Sequence, residues 1–143
     1  MSFDIVVSEW NDQVTRRLLE GAQACLLEQH VEKENIHVYW VPGSFELVYA
    51  AARLQNYGNS DAIIALGSVI RGGTPHFDYV CQGVTNGISS LNAQGNVPVI
   101  FGLLTTDDLQ QALDRAGGKY GNKGVEAART AIEMAGFRQA VSR

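Results

Sequence analysis

The sequence predicts an α/β protein: a three-layer αβα sandwich with a four-stranded parallel sheet in flavodoxin-like order and helices on both faces. Three observations predict it. Short apolar runs alternate with longer stretches whose apolar residues recur every three or four positions. The short runs are apolar almost throughout, as strands covered on both faces are. The resulting order is βαβαβαβαα, which right-handed crossovers stack as helices on the two faces of one sheet.

The first strand is Phe3–Ser8, short and rich in β-branched residues. Val14, Leu18, Leu19, Ala22 and Leu26 then mark a helix from Asp12 to His30. Ile36–Val41 is the second strand, and Pro42-Gly43-Ser44 leads into a helix from Phe45 to Gln55. Asp61–Ile70 is the third strand, built on Ala62-Ile63-Ile64-Ala65-Leu66 and ending in a glycine loop. The next helix runs from Phe77 to Ala93 with Val80, Val84, Ile88 and Leu91 on one stripe, and Val97–Leu104 is the fourth strand. Thr105 and Asp108 stand in a Thr-x-x-Asp capping relation before a helix that reaches Ala116. Gly117-Gly118-Lys119-Tyr120-Gly121 breaks it, and a last helix turns Val125, Ala128, Ile132 and Ala135 inward.

The chain has 143 residues, which fits a single domain over 1–143 with no internal repeat or linker. Hydrophobic residues make up 45% and charged residues 18%, enough for one core. No apolar run approaches the roughly 20 residues that span a bilayer, and no basic stretch precedes the first strand as a signal peptide requires. Net charge is −4 with no Lys/Arg block, which argues against nucleic acid and anionic membrane as partners. An acidic protein that binds an anion must gather its cations locally; Arg71, Arg115, Lys119 and Lys123 are the candidates. Cys25 and Cys81 fall in helical patterns and read as small buried hydrophobes, with a catalytic or bridged thiol as the alternative. Nothing suggests an oxidising compartment, so a cytoplasmic location is expected.

Ligands of parallel α/β sheets bind beyond the carboxyl ends of the strands. Four strand-to-helix loops share that rim: Ser8 to Asn11, Pro42 to Glu46, Gly67 to His76, and Phe101 to Thr105. In the third, Gly72, Gly73 and Thr74 precede a helix N-terminus, a combination that suits an anion. The spacing from Gly67 nearly matches a triphosphate loop but has Gly73 where that motif needs Lys, so a single phosphate is expected. A plain connecting turn is the alternative. His76 follows, and an unperturbed imidazole, titrating near about pH 6.5, both gives and takes protons in neutral water. Trp10, Phe45 and Phe101 are either core packing or stacking platforms for a flat ring, and Glu46 either complements a helix dipole or accepts hydrogen bonds from a polyol. No Cys/His spacing resembles a zinc site, and no metal is expected.

The rim residues and their surroundings resemble one family in order and spacing, over essentially the whole chain. The carrying segments are Trp10-Asn11-Asp12 with Leu18 to Ala22, Val41 to Glu46, Ala65 to Val80, Pro98 to Thr105, Asp114 to Gly117, and Gly121 to Ala128. They resemble the lumazine synthases, and the stretch around His76 is the most specific. The resemblance implies condensation of 5-amino-6-ribitylaminouracil with 3,4-dihydroxy-2-butanone 4-phosphate to a riboflavin precursor, without cofactor or metal. It implies that Trp10 stacks on the pyrimidine, and that Ser44, Phe45 and Glu46 line the ribityl chain with Asn11 nearby. Ser68, Val69 and Ile70 would present backbone groups to the pyrimidine edge. Gly73 and Thr74 would hold the phosphate, and His76 would move protons. Phe101, Arg115 and Lys123 would reach into a neighbour's site, Arg115 toward the phosphate.

The resemblance also implies self-association to a pentamer. The short Gly117–Asn122 connection is similar to that of members whose pentamers close into a sixty-subunit shell, and riboflavin synthase is an implied partner. Two features depart from the family. Val48 stands where Pro is frequent, and the extra strand that many relatives carry before the first core strand, added to a neighbour's sheet, is not seen before Phe3. Two rivals remain on this scaffold: an archaeal-type riboflavin synthase, which has no phosphate to bind, and a non-catalytic flavin-binding or shell protein. The Gly73-Thr74 loop argues against the first, and His76, Arg115 and Lys123 together argue against the second.

Overall fold

The computed structural model describes residues 1–142. Four strands, β1 (Phe3–Ser8), β2 (Ile36–Val41), β3 (Ala62–Ile70) and β4 (Val99–Thr106), form one parallel sheet in the order β2-β1-β3-β4. This is the expected flavodoxin-like order. Strand β1 is central and buried at every residue, which is why its sequence shows no alternation. Its one charge, Asp4, lies 3.1 Å from His37 Nδ1 on β2, so the buried carboxylate is partnered.

Helices cover both faces. Helix α1 (Asp12–Glu28) and α5 (Lys123–Val141) pack on one, and α2 (Leu47–Tyr57) and α3 (His76–Gln94) on the other. A short α4 (Leu109–Asp114) joins the first layer through Ala112. Each layer has its own apolar cluster, centred on Leu18, Ile64 and Leu66 beneath α1 and on Leu47, Ile63 and Val84 beneath α2 and α3. Among the described residues no helix is long and apolar enough to cross a membrane.

The structure departs from the sequence expectations at several element ends. Ser44–Glu46 is a single 3-10 turn, so α2 starts at Leu47 rather than Phe45. Strand β4 is shifted two residues onward, because Val69 and Ile70 still pair with Thr105 and Thr106. Thr105 is thus strand, not cap. Asp108 caps α4 instead, its side chain accepting from Gln111 N–H over 2.8 Å. The glycine break before α5 is a small antiparallel hairpin, β5 (Ala116–Gly118) with β6 (Gly121–Asn122). Gly117 and Gly121 sit at φ 97° and 86°, a region open mainly to glycine. On α5 the inward stripe is Gly124, Ala127, Ala128, Ala131 and Ala135, with Val125 and Ile132 at its border.

Small residues there let α5 approach α1 closely. A Cβ on Gly124 would overlap the Leu18 carbonyl oxygen, which is backbone and cannot swing away. Gly124→Ala is therefore expected to cost about 1–3 kcal/mol by overpacking. Gly136, on the same helix, has nothing within 4 Å of a Cβ position among the described residues, so Gly136→Ala should gain about 0.5–1 kcal/mol. Urea midpoints of the two variants should move in opposite directions from the parent; movement in the same direction would contradict the close-approach account.

Candidate active site

The carboxyl ends of β1, β2 and β3 open into a cleft of about 630 Å³. Backbone and side-chain bonds lock its loops to one another. Glu9 and Trp10 donate to the carbonyls of Val41 and Pro42 over 2.8 and 3.0 Å. Asn11 adopts a left-handed conformation, φ 63°, that lets its carbonyl accept from Val14 and Thr15 and start α1. Its side-chain amide donates to Ser68 O over 2.8 Å, tying the first loop to the third. Thr15 Oγ1 donates to Ser8 O over 2.8 Å in the buried layer beneath.

The floor is the last turn of β3. Pairing with β1 stops at Leu66, whereas pairing with β4 continues to Ile70. The β1 side of the backbone from Ser68 to Ile70 therefore faces the cleft, with Ser68 O already occupied by Asn11. Gly67 makes the floor possible, since a Cβ there would stand 2.6 Å from Ser44 Oγ and 2.8 Å from Leu103 Cδ1. Ser44 is buried, and the next residue, Phe45, projects with 60% of its surface exposed. Its ring lies against α3 at Gly83, where a Cβ would be 2.8 Å from Phe45 Cε1. Trp10 stands on the rim, 74% exposed. So large an exposed indole is not core packing, which removes one of its two readings.

The loop after β3 closes one end. Gly72 and Gly73 have open space at their Cβ positions. Thr74 Oγ1 accepts from His76 N–H over 3.5 Å, and His76 is the first residue of α3, exposed at the cleft. Ten of the predicted residues thus share one cleft: Trp10, Asn11, Ser44, Phe45, Glu46, Ser68, Val69, Ile70, Thr74 and His76. Gly73 lies just beyond the lining, and its neighbour Gly72 takes that place. Phe77, Tyr79 and Val80 also line the cleft and were not singled out in the sequence. Their positions in the first turns of α3, beside His76, were the available signal.

Phe101, Arg115 and Lys123 are elsewhere. They border depressions along β4, α4, α5 and the hairpin, away from the cleft of their own chain. Arg115 lies 4.8 Å from the Tyr120 ring and donates to Gln111 O over 3.4 Å. Among the described residues no lysine or arginine lines the cleft. Arg71, the nearest in sequence, is engaged by Asp107 and Asp78. Neither cysteine offers a thiolate there. Cys25 is buried, and burial, with Asp78 nearby, pushes the Cys81 thiol up.

Comparison with known proteins identifies the family. The family model described as 6,7-dimethyl-8-ribityllumazine synthase matches residues 1–139. A 6,7-dimethyl-8-ribityllumazine synthase of Phocaeicola vulgatus is 56% identical over 139 residues, covering 97% of this chain and 83% of that protein. One from Parabacteroides distasonis is 59% identical over 137 residues, covering 96% and 86%. A third, from Porphyromonas gingivalis, is 58% identical over 135 residues, covering 94% and 84%. With the family matched over nearly its whole length and the rim residues gathered in one cleft, the chain belongs to the 6,7-dimethyl-8-ribityllumazine synthase family.

Proposed function

We propose that the protein condenses 5-amino-6-ribitylaminouracil with 3,4-dihydroxy-2-butanone 4-phosphate to 6,7-dimethyl-8-ribityllumazine, releasing phosphate and water. The observation that carries this reading is the single cleft that holds an exposed indole, a polar turn, an open strand backbone and a histidine beside a glycine loop. The indole of Trp10 stacks on the pyrimidine. The backbone from Ser68 to Ile70 pairs with the ring edge, while Asn11, Ser44, Phe45 and Glu46 line the ribityl chain. Gly72, Gly73 and Thr74 receive the phosphate.

The chemistry is a series of proton transfers. The 5-amino group attacks the ketone carbonyl, and loss of water gives an imine. A proton then leaves C3 of the former ketone and phosphate leaves C4, and the resulting enol tautomerises to a carbonyl at C3. The ribitylamino nitrogen then closes the second ring and a second water departs. His76, at the junction of the phosphate loop and the cleft, serves as general acid and base. Holding both reactants together supplies much of the remaining rate. Mixing the protein with both substrates should yield the fluorescent lumazine and one phosphate per turnover; no product at substrate saturation would refute the assignment.

A phosphate dianion in a cleft without its own cation needs one from outside. Arg115 and Lys123, with Phe101, occupy another face of the same chain. Two different patches meeting head to tail close into a ring when the rotation between neighbours permits. Following the family resemblance, the reading includes a pentamer whose sites each combine His76 of one subunit with Arg115, Lys123 and Phe101 of the next. It extends to closure of pentamers into a sixty-subunit shell, with riboflavin synthase as a partner. Light scattering distinguishes these masses. Two free cysteines fit a reducing cytoplasm.

Trp10 provides a direct optical check. In a Trp40→Phe background, a ribityl-pyrimidine analogue should quench the remaining indole, Trp10, as the rings stack. Unchanged emission at calorimetrically established saturation would take Trp10 out of the site.

A further inference from the structure

We propose that Arg71 is a positioning residue for the phosphorylated substrate: it clips the Gly72–Pro75 loop into its working shape without itself touching the phosphate. The inference rests on the reading of that loop as the phosphate site. Arg71 leaves β3 directly after Ile70, and its N–H donates to Thr106 O over 2.9 Å. Its guanidinium makes three contacts. Nε donates to Asp107 Oδ1 over 2.9 Å, Nη1 donates to Asp78 Oδ1 over 3.5 Å, and the central carbon sits 4.4 Å from the Phe77 ring centre. Asp107 follows β4, whereas Phe77 and Asp78 belong to the first turn of α3. One side chain thus joins the strand before the loop, the neighbouring strand end and the helix after it.

The loop between has little hold of its own. Among the described residues nothing lies within 4 Å of a Cβ position on Gly72 or Gly73, and the only side-chain hydrogen bond of the loop is the long one to Thr74 Oγ1. Its shape is set by where its two ends are held, and Arg71 holds both. The ring it rests on, Phe77, is buried and lines the cleft.

Arg71 is poorly placed to bind phosphate as a free cation. Two carboxylates share one guanidinium, so the cluster is net negative. A phosphate drawing Arg71 toward itself must break the 2.9 Å bond to Asp107 and stand beside two carboxylates. The hydrogen bond that Arg71 donates to Asp107 raises the guanidinium further above its ordinary pKa, and an arginine stays protonated in any case. Because the ion pairs are exposed, they contribute little to global stability. Their effect is local.

The test compares Arg71→Ala, Arg71→Lys and Asp107→Asn at about 0.15 M salt, where charge effects beyond roughly 8 Å are screened. In Arg71→Ala, KM for the phosphorylated ketone should rise about ten- to hundredfold, as small misplacements of binding groups do. The inhibition constant of inorganic phosphate should rise in step. KM for the ribitylaminouracil and the melting temperature should stay close to the parent. Lysine should recover part of the loss, since an ammonium pairs with one carboxylate but neither forks nor stacks as a plane. Asp107→Asn decides the mechanism by its sign. A clip loses its anchor, so the phosphate constants weaken as in Arg71→Ala. A direct phosphate ligand is released from its carboxylate, so they tighten. Unchanged constants in Arg71→Ala, or tightening in Asp107→Asn, overturns the proposal. A parent protein that makes no product removes the reaction and this role together; a normal parent beside an unaffected Arg71→Ala removes only the role of Arg71.

Discussion

Replacing His76 with alanine is expected to slow turnover by about 10²–10⁴-fold, the usual contribution of a positioned general acid–base. Binding of the ribityl-pyrimidine should change little. His76 stands at the start of α3 beside Thr74, whereas in the proposed reading the ring and chain of the pyrimidine meet Trp10, the Ser44–Glu46 turn and the end of β3, which line the same cleft. The two functions rest on different elements, so they separate on mutation. Bound reactants that exchange protons with water place the loss toward the lower bound, because the positioning contribution survives. Steady-state rates of variant and parent over about pH 5–8, the range in which imidazoles titrate, check the expectation. Coincident profiles would mean that His76 moves no proton in the reaction.

Arg115→Ala is expected to weaken phosphate-bearing ligands by roughly 10- to 150-fold, from the about 1.5–3 kcal/mol of a charge-assisted hydrogen bond. The bare pyrimidine should be nearly unaffected. The side chain is exposed, near Tyr120, and is not among the residues that line the cleft. It has no ion pair there among the described residues that a substitution would break. Equal losses for both ligand types would make it structural. The shared site has a sharper test. His76→Ala and Arg115→Ala proteins, dissociated, mixed and reassembled, should regain activity wherever an intact His76 faces an intact Arg115. If light scattering confirms mixed assemblies and activity stays at the level of the separate variants, both residues serve one subunit's site.

The fold was legible because its strands and helices carry strong local signals. Strands β1 and β3 are apolar runs with no alternation, and α1 and α3 keep their stripes at helical spacing. The ends were less legible. Phe45 and Glu46 extend the α2 pattern, yet Ser44 is buried against Gly67 and holds the chain in a 3-10 turn. Thr105 and Asp108 have capping spacing, yet strand pairing to Ile70 claims Thr105 first. On α5 the larger apolar side chains suggested the inward face, while close contact with α1 selected glycine and alanine instead.

The candidate site divides in the same way. By itself the sequence determined the parallel α/β class and placed ten residues of the cleft in the loops at the carboxyl ends of the strands, because both depend on chain order and local period. It also carried the family resemblance on contiguous motifs. Only the tertiary structure decided that Trp10 is exposed, that no lysine or arginine among the described residues lines the cleft, and that Arg115 and Lys123 lie on another face. It alone joined Arg71 to Asp107, 36 positions away. That pairing follows from the register of β3 on β4, where Ile70 meets Thr106 and the next residue of each strand is brought alongside. Register and helix rotation are set by packing across the whole sheet, and a local pattern of apolar residues contains neither.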